Sequence, residues 1–274
     1  MTEKNRNLAL RFASAIVFLP LVVGLLWLGG RYTAGLMAFV AAAVCSEFYG
    51  ICLTPRSDHV RWLGVLTAAV LPVALLDLPR EVPFAPATLA VMAWLFVCFA
   101  YYLLRGPLEQ ATVKAALTFF GALYAGLGIG TLGALRGLPS GLQWVFLAIL
   151  LTFGNDTGGY FAGRFLGRHK LYVEVSPNKT WEGFFGGMAF AVALVFAARA
   201  TFMPQLAPLD ALGLGIPCSL LGPAGDLCES MLKRAYGVKD SGKIIPGHGG
   251  LLDRVDALLF NGPYVLFYAL ARFG

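Results

Sequence analysis

A chain that turns apolar in run after run of about 20 residues can fold in few ways, and this one has nine such runs. They lie at 12–30, 33–53, 62–78, 86–104, 115–135, 142–162, 183–204, 208–225 and 254–272. About 20 mainly apolar residues carry a helix across the hydrocarbon core of a bilayer. The pattern therefore predicts an all-α integral membrane protein of about nine transmembrane helices. The composition agrees, since 58% of residues are hydrophobic and 13% charged, where a soluble domain has roughly a quarter charged. Asp210, Pro217 and Pro223 interrupt the eighth run, which makes it the weakest. The first run follows Lys4, Arg6 and Arg11 in the manner of a signal peptide. It continues to Gly29 without a clear A-x-A cleavage site, which predicts a retained helix. No long linker or fixed-period repeat divides the chain. A single membrane domain over 1–274 is expected, with plain helices over 1–150 and a polar, catalytic region over 151–274.

The formal net charge is +6. In so apolar a chain that excess suits cytoplasmic loops beside anionic lipid, and no nucleic-acid partner is expected. Counting loops alternately places sixteen of the 21 Lys and Arg on the side of the N-terminus. That bias predicts a cytoplasmic N-terminus, an outside C-terminus and a polar active site at the cytoplasmic side. Cys45, Cys52, Cys98, Cys218 and Cys228 form no CxxC pair and mostly lie in apolar runs. They read as small buried residues rather than ligands.

Against this background the stretch from Asp226 to Asp256 is costly. Asp226, Glu229, Asp240, Asp253 and Asp256 alternate there with Lys233, Arg234, Lys239, Lys243, His248 and Arg254. Ionisable groups near a bilayer are expensive and mark functional sites. Asp226, Glu229, Lys233 and Arg234 have the spacing of one helix face. A flexible loop, Pro246-Gly247-His248-Gly249-Gly250, follows. Carboxylates gathered with Lys, Arg and His suggest oxygen ligands for Mg2+ and cationic clamps for phosphate. A purely structural salt-bridge network would explain the charges but not the glycine-rich turn.

Two shorter polar motifs precede this one. Between Asn155 and Lys170, Asp156 follows a long apolar run, and Arg164 and Arg168 are four apart. That spacing predicts a shared helix face able to hold a phosphate, with a snorkelling basic helix end as the plainer reading. The glycines of this motif would let backbone approach a ligand. In Ser176–Gly183, hydroxyl and amide groups precede a helix whose N-terminus suits an anion. Glu182 reads as a metal ligand, a base or a first-turn acid favoured by the helix dipole. Ser176-x-x-Lys179 also matches an acyl-serine motif, but its companion motifs are missing. Gly128-x-Gly130-x-x-Gly133 lies in an apolar run with no strand before it, so Gly126 and Gly130 read as helix packing instead of nucleotide binding. Glu47, inside the second run, reads as either a hydrogen-bonded structural acid or a functional one.

Ser230, Leu232, Lys233, Arg234, Lys239, Asp240, Gly242 and Ile245 begin a longer pattern. It continues through Pro246, His248, Gly249, Gly250, Leu251, Asp253, Arg254, Val255 and Asp256. At these spacings the pattern resembles, without departure, the signature of the phosphatidate cytidylyltransferases, also called CDP-diacylglycerol synthases. The two earlier motifs are similar to that family's and in the expected order, with Gly159 where alanine is common. The resemblance is specific over residues 150–260; upstream it is only a matching hydrophobic layout. It implies a multi-pass homodimer of the bacterial inner membrane that makes CDP-diacylglycerol and pyrophosphate from CTP and phosphatidate. Mg2+ is the implied cofactor, with a second divalent ion or K+ assisting.

The resemblance implies Asp226 and Asp253 as the central metal carboxylates, and Glu229 and Asp256 are expected in or near the same shell. Lys233, Arg234, Lys239 and Arg254 are expected to divide the contacts to triphosphate and lipid phosphate, with His248 as a phosphate donor. Asp156, Arg164, Arg168, Ser176, Lys179, Thr180 and Glu182 are expected to hold nucleotide or lipid headgroup. A related CTP-dependent lipid enzyme, such as a polyprenol kinase or an ether-lipid cytidylyltransferase, would share this logic and differ in acceptor and product. A secondary transporter would explain buried acids and glycine-broken helices, but not so many one-sided Lys, Arg and His groups beside glycines.

Overall fold

The computed structural model describes residues 3–53, 59–76, 84–105, 107–172, 174–244 and 249–274, with side chains from Ile16 in the first helix and Thr88 in the fourth. The elements in order are α1 (Glu3–Leu28), α2 (Gly30–Cys52), α3 (Val60–Leu76), α4 (Phe84–Arg105), α5 (Leu108–Gly137) and α6 (Gly141–Leu166). A hairpin of β1 (Lys170–Tyr172) and β2 (Ser176–Thr180) follows. Then come α7 (Trp181–Thr201), α8 (Pro208–Ala235), the one-turn α9 (Leu252–Val255) and α10 (Leu258–Phe273). Every predicted apolar run carries a helix. Among the described residues α2, the Thr88–Arg105 part of α4, α5, α7 and α8 are long and apolar enough to cross a membrane. This is a helical membrane protein.

Three local features depart from the sequence pattern. First, a short antiparallel hairpin joins the helices, with Lys170 opposite Thr180 and Tyr172 opposite Ser176. Second, α8 does not end at its polar boundary. It passes through Pro217 and Pro223 and carries the charged segment to Ala235. Pro217 has no N–H for the carbonyl one turn before it, that of Gly213. The Tyr264 hydroxyl donates to that carbonyl at 2.5 Å, so the lost bond is replaced from another helix. Third, the last apolar run is broken at Asp256, whose Oδ1 accepts from the Ala257 N–H at 2.8 Å between α9 and α10. Cys45, Cys52, Cys98 and Cys218 are buried as expected, whereas Cys228 is exposed.

Packing divides the chain into two units, Met1–Ala134 with Asp240–Asp253, and Leu135–Lys239 with Arg254–Gly274. The described parts of the signature segment, 240–244 and 249–253, thus pack with the N-terminal helices, although their polarity resembles that of the second half. In the first unit α2 packs on α1 and α3. The Tyr49 hydroxyl of α2 donates to the Thr118 carbonyl of α5 at 2.5 Å. A Cβ on Gly126 would lie 2.6 Å from Leu71 of α3, so α5 approaches α3 closely there. This is the helix-packing role read from Gly126 and Gly130. In the second unit α6, α7, α8 and α10 form one bundle. A Cβ on Gly183 would lie 2.8 Å from the Gly159 carbonyl, so the α6 and α7 backbones meet where the polar motifs begin. Deeper in this bundle Asn261 of α10, fully buried, donates to the Thr152 hydroxyl of α6 at 2.9 Å.

Candidate active site

In the second unit β2 runs directly into α7, and Thr180 is the residue at the junction. Its backbone is extended, and its Oγ1 accepts from the Gly183 N–H at 3.1 Å. This is an N-cap, which satisfies one of the helix's free donors. The cap fixes where α7 begins and leaves Lys179 one position outside it. The Lys179 ammonium reaches α8, where it donates to the Pro223 carbonyl at 3.3 Å and lies 2.7 Å from Asp226 Oδ2. Asp226 Oδ1 accepts from the Ser230 hydroxyl one turn further along, at 3.2 Å.

The helical spacing read for Asp226, Glu229 and Lys233 holds along α8. Glu229 is buried at 2% exposure and pairs with the Lys233 ammonium at i, i+4. Asp256, in the break between α9 and α10, supplies a third carboxylate. One oxygen each from Asp226, Glu229 and Asp256 lie within 4.8 Å of one another. Among the described residues, Asp256 feels the charges of Asp226, Asp156 and Lys233, and Asp156 those of Asp226 and Lys179. Asp156, Asp226, Glu229 and Asp256 thus gather near the ammonium groups of Lys179 and Lys233. Two like charges at that separation repel by about 3.5 kcal/mol at an effective dielectric of 20. Three hard oxygen donors in this arrangement fit a divalent cation such as Mg2+.

A cavity of about 470 Å³ lies beside these groups, walled by α6, the hairpin, α7 and α8. Asp156, Arg164, Lys179, Thr180 and Asp226 line it, so five of the residues read as site candidates meet in one place. Arg164 is held by its Nη1, which donates to the Tyr160 hydroxyl at 2.7 Å. Acid, base, hydroxyl and aromatic groups together match a phosphate-bearing ligand with an apolar portion. Asn155, Tyr160, Asn178 and Phe184 also line the cavity and were not singled out from sequence. Asn155 and Asn178 stand next to Asp156 and Lys179, so adjacency within a polar motif was the available signal.

Other candidates fall elsewhere. Arg168 does not share a helix face with Arg164: α6 ends at Leu166, and Gly167 turns extended at φ −64°, ψ 120°, so the helical period stops first. The Arg168 and His169 N–H groups instead donate to Glu182 Oε2 at 3.1 and 3.2 Å, and His169 Nδ1 lies 2.6 Å from Glu182 Oε1. These bonds make Glu182 a first-turn acid that ties the start of the hairpin to α7, and it does not line the cavity. Ser176 opens β2 opposite Tyr172. Arg234 is exposed and donates to the Val238 carbonyl at 3.2 Å, closing the end of α8. Lys239 and Arg254 are exposed. His248 lies outside the described residues.

Asp253 belongs to the first unit. Its Oδ2 accepts from the Ser241 N–H at 3.0 Å, the Ser241 hydroxyl at 2.9 Å and the Gly250 N–H at 2.9 Å. The structure thus gives Asp253 a fixed orientation within the signature loop.

The Cytidylyltransferase family model matches residues 9–272 of this chain. A phosphatidate cytidylyltransferase of Staphylococcus saprophyticus is 35% identical over 255 residues, covering 90% of this chain and 92% of that protein. A phosphatidate cytidylyltransferase of Bacillus subtilis is 42% identical over 153 residues, covering 56% of each chain. One from Staphylococcus aureus (strain COL) is 38% identical over 175 residues, covering 64% of this chain and 66% of that protein. The match therefore spans nearly the whole of one relative, and between half and two thirds of the other two.

Proposed function

This chain belongs to the cytidylyltransferase family, and from that membership we propose that it joins CTP to phosphatidate, making CDP-diacylglycerol and pyrophosphate. The observation that carries the reading is the convergence of Asp226, Glu229 and Asp256 on one point, beside a cavity lined by Lys179 and Arg164. An oxygen of the phosphatidate phosphomonoester bonds to the α-phosphorus of CTP, and the bond from that phosphorus to the bridging oxygen breaks. Pyrophosphate leaves with the electron pair. The attacking phosphate is largely ionised near pH 7, because its second pKa is about 6. No protein nucleophile is required, and catalysis consists of positioning and charge neutralisation.

Asp226, Glu229 and Asp256 would hold Mg2+, with Asp253 as a further carboxylate of the set. When bound, the ion supplies neutralisation of charge on the triphosphate. Lys179 and Arg164 hold phosphate oxygens in the cavity, while Lys233 pairs with Glu229 and orients it. Arg234, Lys239, Arg254 and His248 complete the contacts to triphosphate and lipid phosphate. Thr180 forms part of the cavity wall, and Arg168, Ser176 and Glu182 would carry contacts to nucleotide or headgroup. Counting α1–α8 and α10 as nine crossings, the excess of Lys and Arg favours a cytoplasmic N-terminus and an outside C-terminus. A bacterial inner membrane and a homodimer complete the reading. A cytoplasmic site suits a soluble nucleotide, and a lateral opening suits a lipid acceptor.

The test is purified protein in nanodiscs with phosphatidate, Mg2+ and CTP labelled at either the α- or the γ-phosphate. Lipid labelled only from α-labelled CTP, with loss of signal when Mg2+ or phosphatidate is omitted, is the expected result. Lipid labelled from γ-labelled CTP would instead identify a CTP-dependent lipid kinase. No labelled lipid from folded protein would overturn both.

A further inference from the structure

Glu47 is the acid that the proposed chemistry does not use. It lies in the interior of α2 and is 6% exposed. Its Oε2 accepts from the Leu252 N–H at 2.8 Å and from the Ser241 hydroxyl at 3.1 Å. Both donors belong to the signature loop, some 200 residues away in sequence and within the same packing unit. The Ser241 hydroxyl also lies 2.9 Å from Asp253 Oδ2. One hydroxyl proton therefore stands between two carboxylates, and Asp253 is further fixed by the Ser241 and Gly250 N–H groups. The loop is built tightly around this pair. A Cβ on Gly242 would lie 2.3 Å from Glu47 Oε1, and one on Gly250 would lie 1.9 Å from Ser241 Oγ and 2.6 Å from Glu47 Oε2. Gly249 holds a positive φ of 82° next to Asp253.

A carboxylate in an apolar helix carries a large desolvation cost, so its hydrogen bonds to the loop are expensive to lose. Among the described residues Glu47 Oε1 has no hydrogen-bond partner. The function of the side chain therefore resides in Oε2, an acceptor that a neutral amide also provides. The geometry points to Glu47 as a positioning residue: through Ser241 and Leu252 it sets the conformation of the signature loop and the orientation of Asp253. The inference deepens the proposed cytidylyl transfer and rests on it, because it assigns Asp253 a role in that reaction.

The test compares Glu47→Gln, Glu47→Leu and Gly250→Ala in the labelled-lipid assay and in hydrogen exchange. Glu47→Leu removes the acceptor and is expected to lower kcat roughly 10- to 100-fold, the range for losing the outer partner of a positioned group. KM for CTP should change little, and exchange at the Ser241 and Leu252 amides should rise. Glu47→Gln keeps an acceptor and should retain most of the wild-type rate and amide protection. Gly250→Ala attacks the same contacts from the loop side, and its combination with Glu47→Leu should be no worse than the worse single change. Equal damage from Glu47→Gln and Glu47→Leu would overturn the acceptor role. Wild-type rates and protection in Glu47→Leu would overturn the inference altogether. Should Glu47→Leu fail to fold, Glu47→Gln and Gly250→Ala still decide it: a slow Glu47→Gln or a fully active Gly250→Ala would sink it. An inactive wild type would instead remove the proposed activity, while amide protection would still judge the loop contact.

Discussion

The two packing units each hold a group of acids in apolar surroundings, and the two groups are satisfied in opposite ways. In the first unit Glu47 and Asp253 accept from backbone N–H groups and from one serine hydroxyl. Those donors are fixed by the chain itself, so these acids hold a loop in shape. In the second unit Asp226 and Glu229 face the ends of lysine side chains, and Asp226, Glu229 and Asp256 crowd one another. Lysine is a mobile point charge on a flexible stem, and like-charged acids repel. In the proposed function such acids would exchange these partners for a ligand's cation and phosphates. The difference separates acids whose donors are fixed by the chain from acids whose partners are mobile charges, although residue type alone makes them look alike.

The sharpest way to break this comparison is Asp226→Asn. If the second group serves the ligand, the substitution should lower kcat roughly 10³-fold, the size of losing a preorganised electrostatic contact. The melting temperature in detergent should hardly move. A large drop in melting temperature with modest loss of rate would make Asp226 another structural acid. Next in size is Lys179→Met, expected to reduce kcat/KM roughly 10- to 100-fold, since its loss removes about 1.4–2.7 kcal/mol of transition-state binding. Because Lys179 and Asp226 touch, the double variant should fall short of the product of the two losses, and strict multiplicativity would show independent roles.

Smaller effects sharpen the structural side. Thr180→Ala removes the α7 cap and should cost about 1 kcal/mol of stability, which Thr180→Ser should restore. Thermal unfolding in detergent reads both. If Thr180→Ser restores stability but not rate, the cap and the cavity wall are separate functions of that residue. The smallest change expected is from Tyr268→Phe. Its hydroxyl donates to Asp210 at 2.6 Å, and Asp210 also accepts from the Ala207 N–H at 2.6 Å. Losing one bond of this kind should lower stability by about 1 kcal/mol with unchanged kcat. A changed kcat would link this helix end to the chemistry.

Much of this arrangement was legible before any coordinates. The apolar runs marked all the long helices, and the spacing of Asp226, Glu229 and Lys233 anticipated their common face on α8. The hairpin escaped notice because β1 and β2 are three and five residues long, too short for an alternating pattern to stand out. Arg168 was misplaced because spacing rules hold only while a helix continues, and Gly167 ends α6 first. The extent of α8 was hidden by Pro217, whose missing bond is replaced by the Tyr264 hydroxyl of α10. No local rule sees a donor that arrives from another helix.

The sequence by itself determined the class of protein, the order of its helices and the family to which its polar signature belongs. Each of these follows from local chemistry: the cost of apolar surface in water, the period of a helix, the identity of a motif. Only the tertiary structure decided which donors and charges each acid faces. It joined Glu47 to Ser241 and Leu252, and drew Asp226, Glu229 and Asp256 together beside the cavity that Lys179 lines. A carboxylate's role depends on the donors that surround it in space, and in this chain those donors come from elements far apart in sequence.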